Sequence, residues 1–220
     1  MSKGFWAIIA AIVLLFVGIA VFGGKDKAKT SSTDKNSNLS NNVQGKGTSG
    51  VVLVEYGDYE CPYCTAAAPV IKAGVAELGD KIKFQFRHFP LTNLHQNAFA
   101  AARAAEAAAQ QGKFWEMHDA LYDASNNLVW TKASNPNPFF EKYAQQINLN
   151  MDKYKADFAS SQVNDTINAD MEEGKKLEIT GTPTFFINGK KVEIQPTIDS
   201  FRKTVNDAIA QQSAKTKPTN

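Results

Sequence analysis

The chain's two cysteines stand three residues apart, in Cys61-Pro62-Tyr63-Cys64. An apolar run of strand formers, Val51 to Val54, leads to them through a short polar turn, and the alanine-rich stretch that follows reads as a helix. A strand thus delivers a dithiol to a helix N-terminus. The first turn of a helix presents unpaired N–H groups and the positive end of the backbone dipole, so a sulfur there is favoured as thiolate. Cys61 is therefore expected to be the low-pKa, attacking sulfur. Pro62 suits an early helical position, where its missing N–H has no intrahelical partner to lose. Cys64 falls on the same face and can close a disulfide with Cys61.

Glu55 stands six residues before Cys61, at the end of a strand that reads as buried on both faces. Burial raises a carboxyl pKa, so Glu55 is expected to exchange a proton with the inner sulfur, Cys64, through water. Pro69 is expected to kink the helix. Two plainer readings compete: a short-range structural disulfide, and a zinc site formed by the two cysteines with two of His88, His95 and His118. The strand-to-helix setting favours redox chemistry over both, and the histidines and Phe114 and Trp115 read first as packing residues.

An acid six residues before the first cysteine, the C-x-x-C itself and a proline eight residues after it together resemble the thioredoxin superfamily. The surrounding pattern fits. Lys81 to Arg87 alternates polar and apolar residues and reads as a second strand, parallel to the first through a right-handed crossover. From about 94 to 177 the chain is helical in character: Gln96 to Gln111 is alanine-rich and stopped by Gly112, Phe114 to Asp123 is amphipathic, and two or three helices follow Pro136 and Pro138. Some eighty residues are too many for a loop, so this is a helical insertion. Thr184 to Ile187 resumes the sheet, Asn188-Gly189 is a hairpin turn, Lys191 to Ile194 is the returning strand, and a last helix runs from about Thr197 to Gln212. The fold class is α/β, a thioredoxin fold split by a helical insertion.

With Arg87-His-Phe-Pro-Leu91, His95, Gln111-Gly-Lys-Phe-Trp-Glu-Met-His118 and Gly181-Thr-Pro-Thr184 added, residues 50–212 are similar to the DsbA-like thiol-disulfide oxidoreductases, most of all the membrane-tethered bacterial members. The resemblance implies a cis Thr182–Pro183 bond lying against Cys61, with the Thr182 backbone free to pair with an extended substrate. It also implies thiol substrates in exported proteins and reoxidation by a quinone-linked membrane oxidase of the DsbB or vitamin K epoxide reductase type. No cofactor or metal is implied, because the cysteine pair is the redox centre. The sequence departs from the most oxidising members, which carry Cys-Pro-His-Cys. Tyr63 replaces a donor that stabilises the thiolate, and Glu60 adds a negative charge, so a weaker oxidant is expected. A disulfide reductase or isomerase of the same fold, and a tethered binding or chaperone module, are the alternatives. The polar linker offers no dimerisation region, which argues for a monomer.

The remaining sequence concerns placement. A formal net charge of +2 over 220 residues gives no reason to propose a nucleic-acid partner. Phe5 to Phe22 carries no charge and is long enough for a membrane-spanning helix, so residues 1–22 read as an anchor. A cleaved signal peptide is the other reading, with Gly18-Ile-Ala20 the nearest approach to a cleavage site. Residues 23–49 are polar and read as a flexible tether, and residues 213–220 as a disordered tail. Lys25, Lys27, Lys29 and Lys35 outnumber the positive charges before the segment, which by itself places the domain in the cytoplasm. The chemistry argues the other way: a dithiol oxidant works where disulfides persist, so the expected location is a bacterial cell membrane with the domain outside.

Overall fold

The computed structural model describes residues 38–216, and the expected anchor lies outside them. Five strands form one sheet in the order β1-β3-β2-β4-β5: β1 (Asn42–Gln44), β2 (Val51–Gly57), β3 (Ile82–His88), β4 (Thr184–Ile187) and β5 (Lys190–Val192). β2 runs parallel to β3 and antiparallel to β4, so the strand that leads to the cysteines is central and paired on both sides. Helix α1 (Pro62–Leu78) makes the crossover between β2 and β3 and continues through Pro69, while α8 (Ile198–Thr216) follows the closing hairpin. Ala67, Ile71 and Val75 of α1 pack with Phe201 and Val205 of α8 against Leu53, Phe84 and Phe185 of the sheet. Asn188 and Gly189 both take positive φ, the twist that a two-residue turn between β4 and β5 requires.

Between β3 and β4 the chain forms six helices: α2 (Ala98–Ala109), α3 (Phe114–Tyr122), α4 (Ala124–Trp130), α5 (Asn137–Gln146), α6 (Met151–Phe158) and α7 (Ser161–Lys176). Helix α2 is buried almost all round because its side chains are small. Ala101, Ala104, Ala105 and Ala108 let α3 and the aromatic residues of α5 and α6 come close to its backbone. α4 was not anticipated; its start is set by Asp123, whose carboxylate accepts from Ser125 N and Asn126 N.

Two sequence expectations are corrected. The tether expected over 23–49 gives way to ordered chain by Asn38 at the latest, because β3 has an outer edge of unpaired backbone groups and Asn42–Gln44 satisfies it. Backbone pairing needs no apolar residues, which is why the polar segment concealed a strand. Ser40 N and His88 N then donate to the two oxygens of buried Asp170, at 3.0 and 2.9 Å, while Asn42 Nδ2 donates to Glu106. At the other end, the disordered tail expected from residue 213 is helical through Thr216. Residues 23–37 and 217–220 lie outside the described part.

Candidate active site

β2 ends at Gly57 and a turn brings Asp58, Tyr59 and Glu60 to the start of α1. Cys61 is the N-cap, with extended backbone angles and no side-chain cap bond, and it stands at the end of α1 where the first-turn N–H groups lack intrahelical partners. Both thiols are free and both are buried; Cys61 is 4% exposed and Cys64 is fully enclosed. Their acidities are pulled apart. A hydrogen bond from Cys64 is the main cause that lowers the Cys61 pKa, to about 5; burial opposes it, and the Thr182 side chain and the N–H groups of Cys64 and Tyr63 reinforce it. Burial raises the Cys64 thiol well above its ordinary value, and the bond to Cys61 and the Glu55 carboxyl raise it further. One sulfur is prepared to leave or attack as an anion, and the other holds its proton.

Glu55 pairs with Phe86 on β3 and Phe185 on β4, in the middle of the sheet, and burial lifts its pKa to about 8. A cavity of about 260 Å³ reaches it, lined also by Phe84, Trp115, His118 and Tyr122. Lys72 and Asp119 line it as well and form an exposed ion pair, 2.7 Å apart. That cavity gives water a path to the carboxyl. Across the dithiol, the Thr182–Pro183 bond is cis, and the Cys61 thiol donates to Thr182 O at 3.3 Å. A second cleft, of about 310 Å³, opens there between Tyr63, Ala66, Pro183, Phe185, Val192 and Ile194. Tyr63 is 76% exposed at its edge, free to meet a bound molecule.

A family model described as thioredoxin matches residues 37–207. The chain belongs to the thioredoxin family. Among solved structures, this thioredoxin-family protein is 26% identical to a thioredoxin-like oxidoreductase from Silicibacter pomeroyi, with a TM-score of 0.64 covering 82% of this chain and 95% of that one. It shares the fold of BdbD from Bacillus subtilis at 20% identity, with a TM-score of 0.63 over 76% of this chain and 92% of that chain. A Na(+)/H(+) antiporter NhaA 1 from Mycolicibacterium vanbaalenii is 40% identical over 149 residues, 67% of this chain and 23% of that protein. The chain spans about a quarter of the length of the curated relatives it matches. Six helices inserted between β3 and β4 and a C-x-x-C pair at the start of α1 are what this thioredoxin-family member carries on that fold.

The other residues singled out in the sequence separate. Glu60 does not point its charge at Cys61 as expected; it accepts from Asn97 N at 2.6 Å, at the start of α2, and so satisfies a helix N-terminus. The three histidines are held apart by three different partners: His88 by Glu106 at 2.8 Å, His95 by Asp58 at 2.7 Å and His118 by Tyr59 at 3.1 Å. Among the described residues no group of three or more His, Cys, Asp or Glu side chains is gathered as a metal would require. His118 is buried and its pKa is pushed down to about 3, mainly by burial, so it is neutral. Two residues escaped the sequence reading. Asp58 is a fully buried carboxylate beside the dithiol, and Tyr122 has a buried hydroxyl without a hydrogen-bond partner among the described residues, in the cavity that reaches Glu55. Long-range partners mark Asp58 and burial marks Tyr122, and sequence spacing carries no sign of either.

Proposed function

We propose that the protein oxidises thiols of exported proteins on the outer side of a bacterial membrane, using the Cys61–Cys64 disulfide. The observation that carries this reading is the split between the two thiols: Cys61 is acidic, near 5, and Cys64 is not. A stabilised Cys61 thiolate is a good leaving group and favours the reduced enzyme, so electrons flow from substrate to protein. A substrate thiolate attacks Cys61 and forms a mixed disulfide, while Cys64 departs and takes a proton. Glu55, protonated up to about pH 8, is the donor, and the cavity behind it lets water restore the proton. A second substrate thiolate then attacks the substrate sulfur and releases Cys61 as thiolate, so the substrate loses two electrons and the enzyme gains them.

In this account Thr182 and Pro183 form the wall against which an extended substrate lies, and the adjoining apolar cleft with Tyr63 at its rim takes neighbouring side chains. Pro62 starts the helix that carries the dithiol. The uncharged segment Phe5 to Phe22 supports a single membrane anchor, and a quinone-linked membrane oxidase is the proposed electron acceptor. The domain works as a monomer without a bound cofactor.

The test is oxidative refolding of a reduced, unfolded protein that needs disulfides, with oxidised glutathione as electron acceptor. The protein should speed the return of activity, and Cys61→Ser should abolish the effect. Reduction of insulin disulfides in preference to oxidation of the reduced substrate would reverse the proposed direction.

A further inference from the structure

The Cys-Pro-Tyr-Cys motif has no positive side chain of its own, but a histidine paired with a buried carboxylate lies beside the turn that leads into it. Asp58 lies three residues before Cys61, and its carboxylate is fully buried. Its Oδ1 accepts from Glu60 N at 2.8 Å, and its Oδ2 accepts from Leu91 N at 2.8 Å and meets His95 Nδ1 at 2.7 Å. The Asp58 carbonyl also accepts from Cys61 N at 3.1 Å, so the residue that fixes His95 is part of the turn that fixes the cysteine. His95 is itself held in a tight turn, with its N–H bonded to Leu91 O at 2.9 Å, and 18% of its side chain reaches solvent. A buried carboxylate needs an opposite charge to be tolerated, and His95 is the one ion-pair partner of Asp58 among the described residues.

We propose that His95, oriented by Asp58, is the positioning cation that stabilises the Cys61 thiolate, in place of the positive charge that the dipeptide between the cysteines lacks. His95 touches Asp58, and the charges of Cys61 and Glu60 also act on it. Burial lowers the His95 pKa, but the Asp58 hydrogen bond and charge, then Cys61 and Glu60, outweigh it, and the net shift is upward. His95 transfers no proton. Paired with the buried Asp58 carboxylate, its positive charge favours Cys61 as the leaving sulfur and thereby favours the reduced enzyme. Its effect extends the proposed oxidase reading, but it can be measured on the thiol itself without any substrate.

The test titrates thiolate absorbance at 240 nm in the reduced full-length protein, in His95→Gln and in His95→Lys, with folding checked by circular dichroism. In His95→Gln the Cys61 midpoint should rise by about 0.5–1 unit, and alkylation by iodoacetamide below that midpoint should slow roughly threefold to tenfold. His95→Lys should return both readings most of the way to the parent. Superimposable titrations of the parent and His95→Gln would overturn the proposal. An equal rise in both variants would also overturn it, because a structural contact and not charge would then be responsible. Neither outcome depends on whether the enzyme oxidises or reduces its substrates.

Discussion

Cys61 Sγ stands 3.3 Å from the carbonyl oxygen of Thr182, although 121 residues separate them in the chain. The contact joins the two halves of the thioredoxin fold across the whole helical insertion. On the other side Cys61 is bonded to Cys64, so its acidity depends on groups from two distant parts of the chain.

Removing the inner thiol should therefore make the outer one less acidic. In Cys64→Ala the largest cause of the low Cys61 pKa is gone, and the midpoint should rise from about 5 by about 1 unit or more. Absorbance at 240 nm against pH reads this directly. The same variant should accumulate a mixed disulfide with glutathione, visible by mass, because no resolving sulfur remains.

Glu55 gives a stability signature with a definite sign. Its pKa is about 8 in the folded protein and 4.5 in the unfolded chain, so between those values the folded state keeps a proton that the unfolded state has released. Stability is then lost as pH rises from about 4.5 to about 8, where Glu55→Gln should be the more stable protein by roughly 2–4 kcal/mol. Near pH 4 the two should coincide. Urea unfolding at both pH values checks the sign, and thiol exchange near neutral pH should slow at least about tenfold in the variant.

Gly74 makes a packing prediction that opposes helix propensity. An added Cβ would lie 2.3 Å from ring atoms of Phe201, so α1 and α8 approach through a missing side chain. Alanine in a helix interior gains about 1 kcal/mol over glycine, but overpacking costs about 1–3 kcal/mol, and the core is closed here. Gly74→Ala should lower the melting temperature, and Phe201→Leu in the same chain should recover part of the loss.

Arg87 secures the outer strand. Its guanidinium pairs with Asp170 at 3.2 Å and Glu173 at 3.3 Å and donates to Ser40 O, with Asp170 fully enclosed. Arg87→Ala leaves a buried carboxylate without its cation and should cost about 3–5 kcal/mol. Hydrogen exchange should speed first at Asn42 to Gln44, because Ser40 loses its hold. Asp170→Asn should be the milder change.

The parts of the fold that were legible in the sequence are those whose signals are local. The Val51–Val54 run, the helix opened by Pro62, the alanines of α2 and the Asn188-Gly189 turn each announce themselves within a few residues. β4 begins and ends where the sequence reading places it ahead of that turn, at Thr184 and Ile187. Elements that exist because of a distant partner were not legible. β1 is three residues with no apolar periodicity, and it forms because β3 offers an open edge. Glu60 looked harmful to the thiolate until its partner, the N-terminus of α2, was in view. Asp58 and His95 are 37 residues apart, and nothing in either one's neighbourhood points to the other.

The central claim is that Cys61 is stabilised as a thiolate strongly enough to make this protein a donor of disulfides. The most direct measurement equilibrates the protein with glutathione buffers and weighs it after alkylation of free thiols, using the whole chain or a fragment that begins no later than Asn38, so that β1 is kept. The account predicts half-reduction at a potential above about −200 mV, on the oxidising side of the glutathione couple. Half-reduction near about −270 mV, in the range of a reducing thioredoxin, would contradict it.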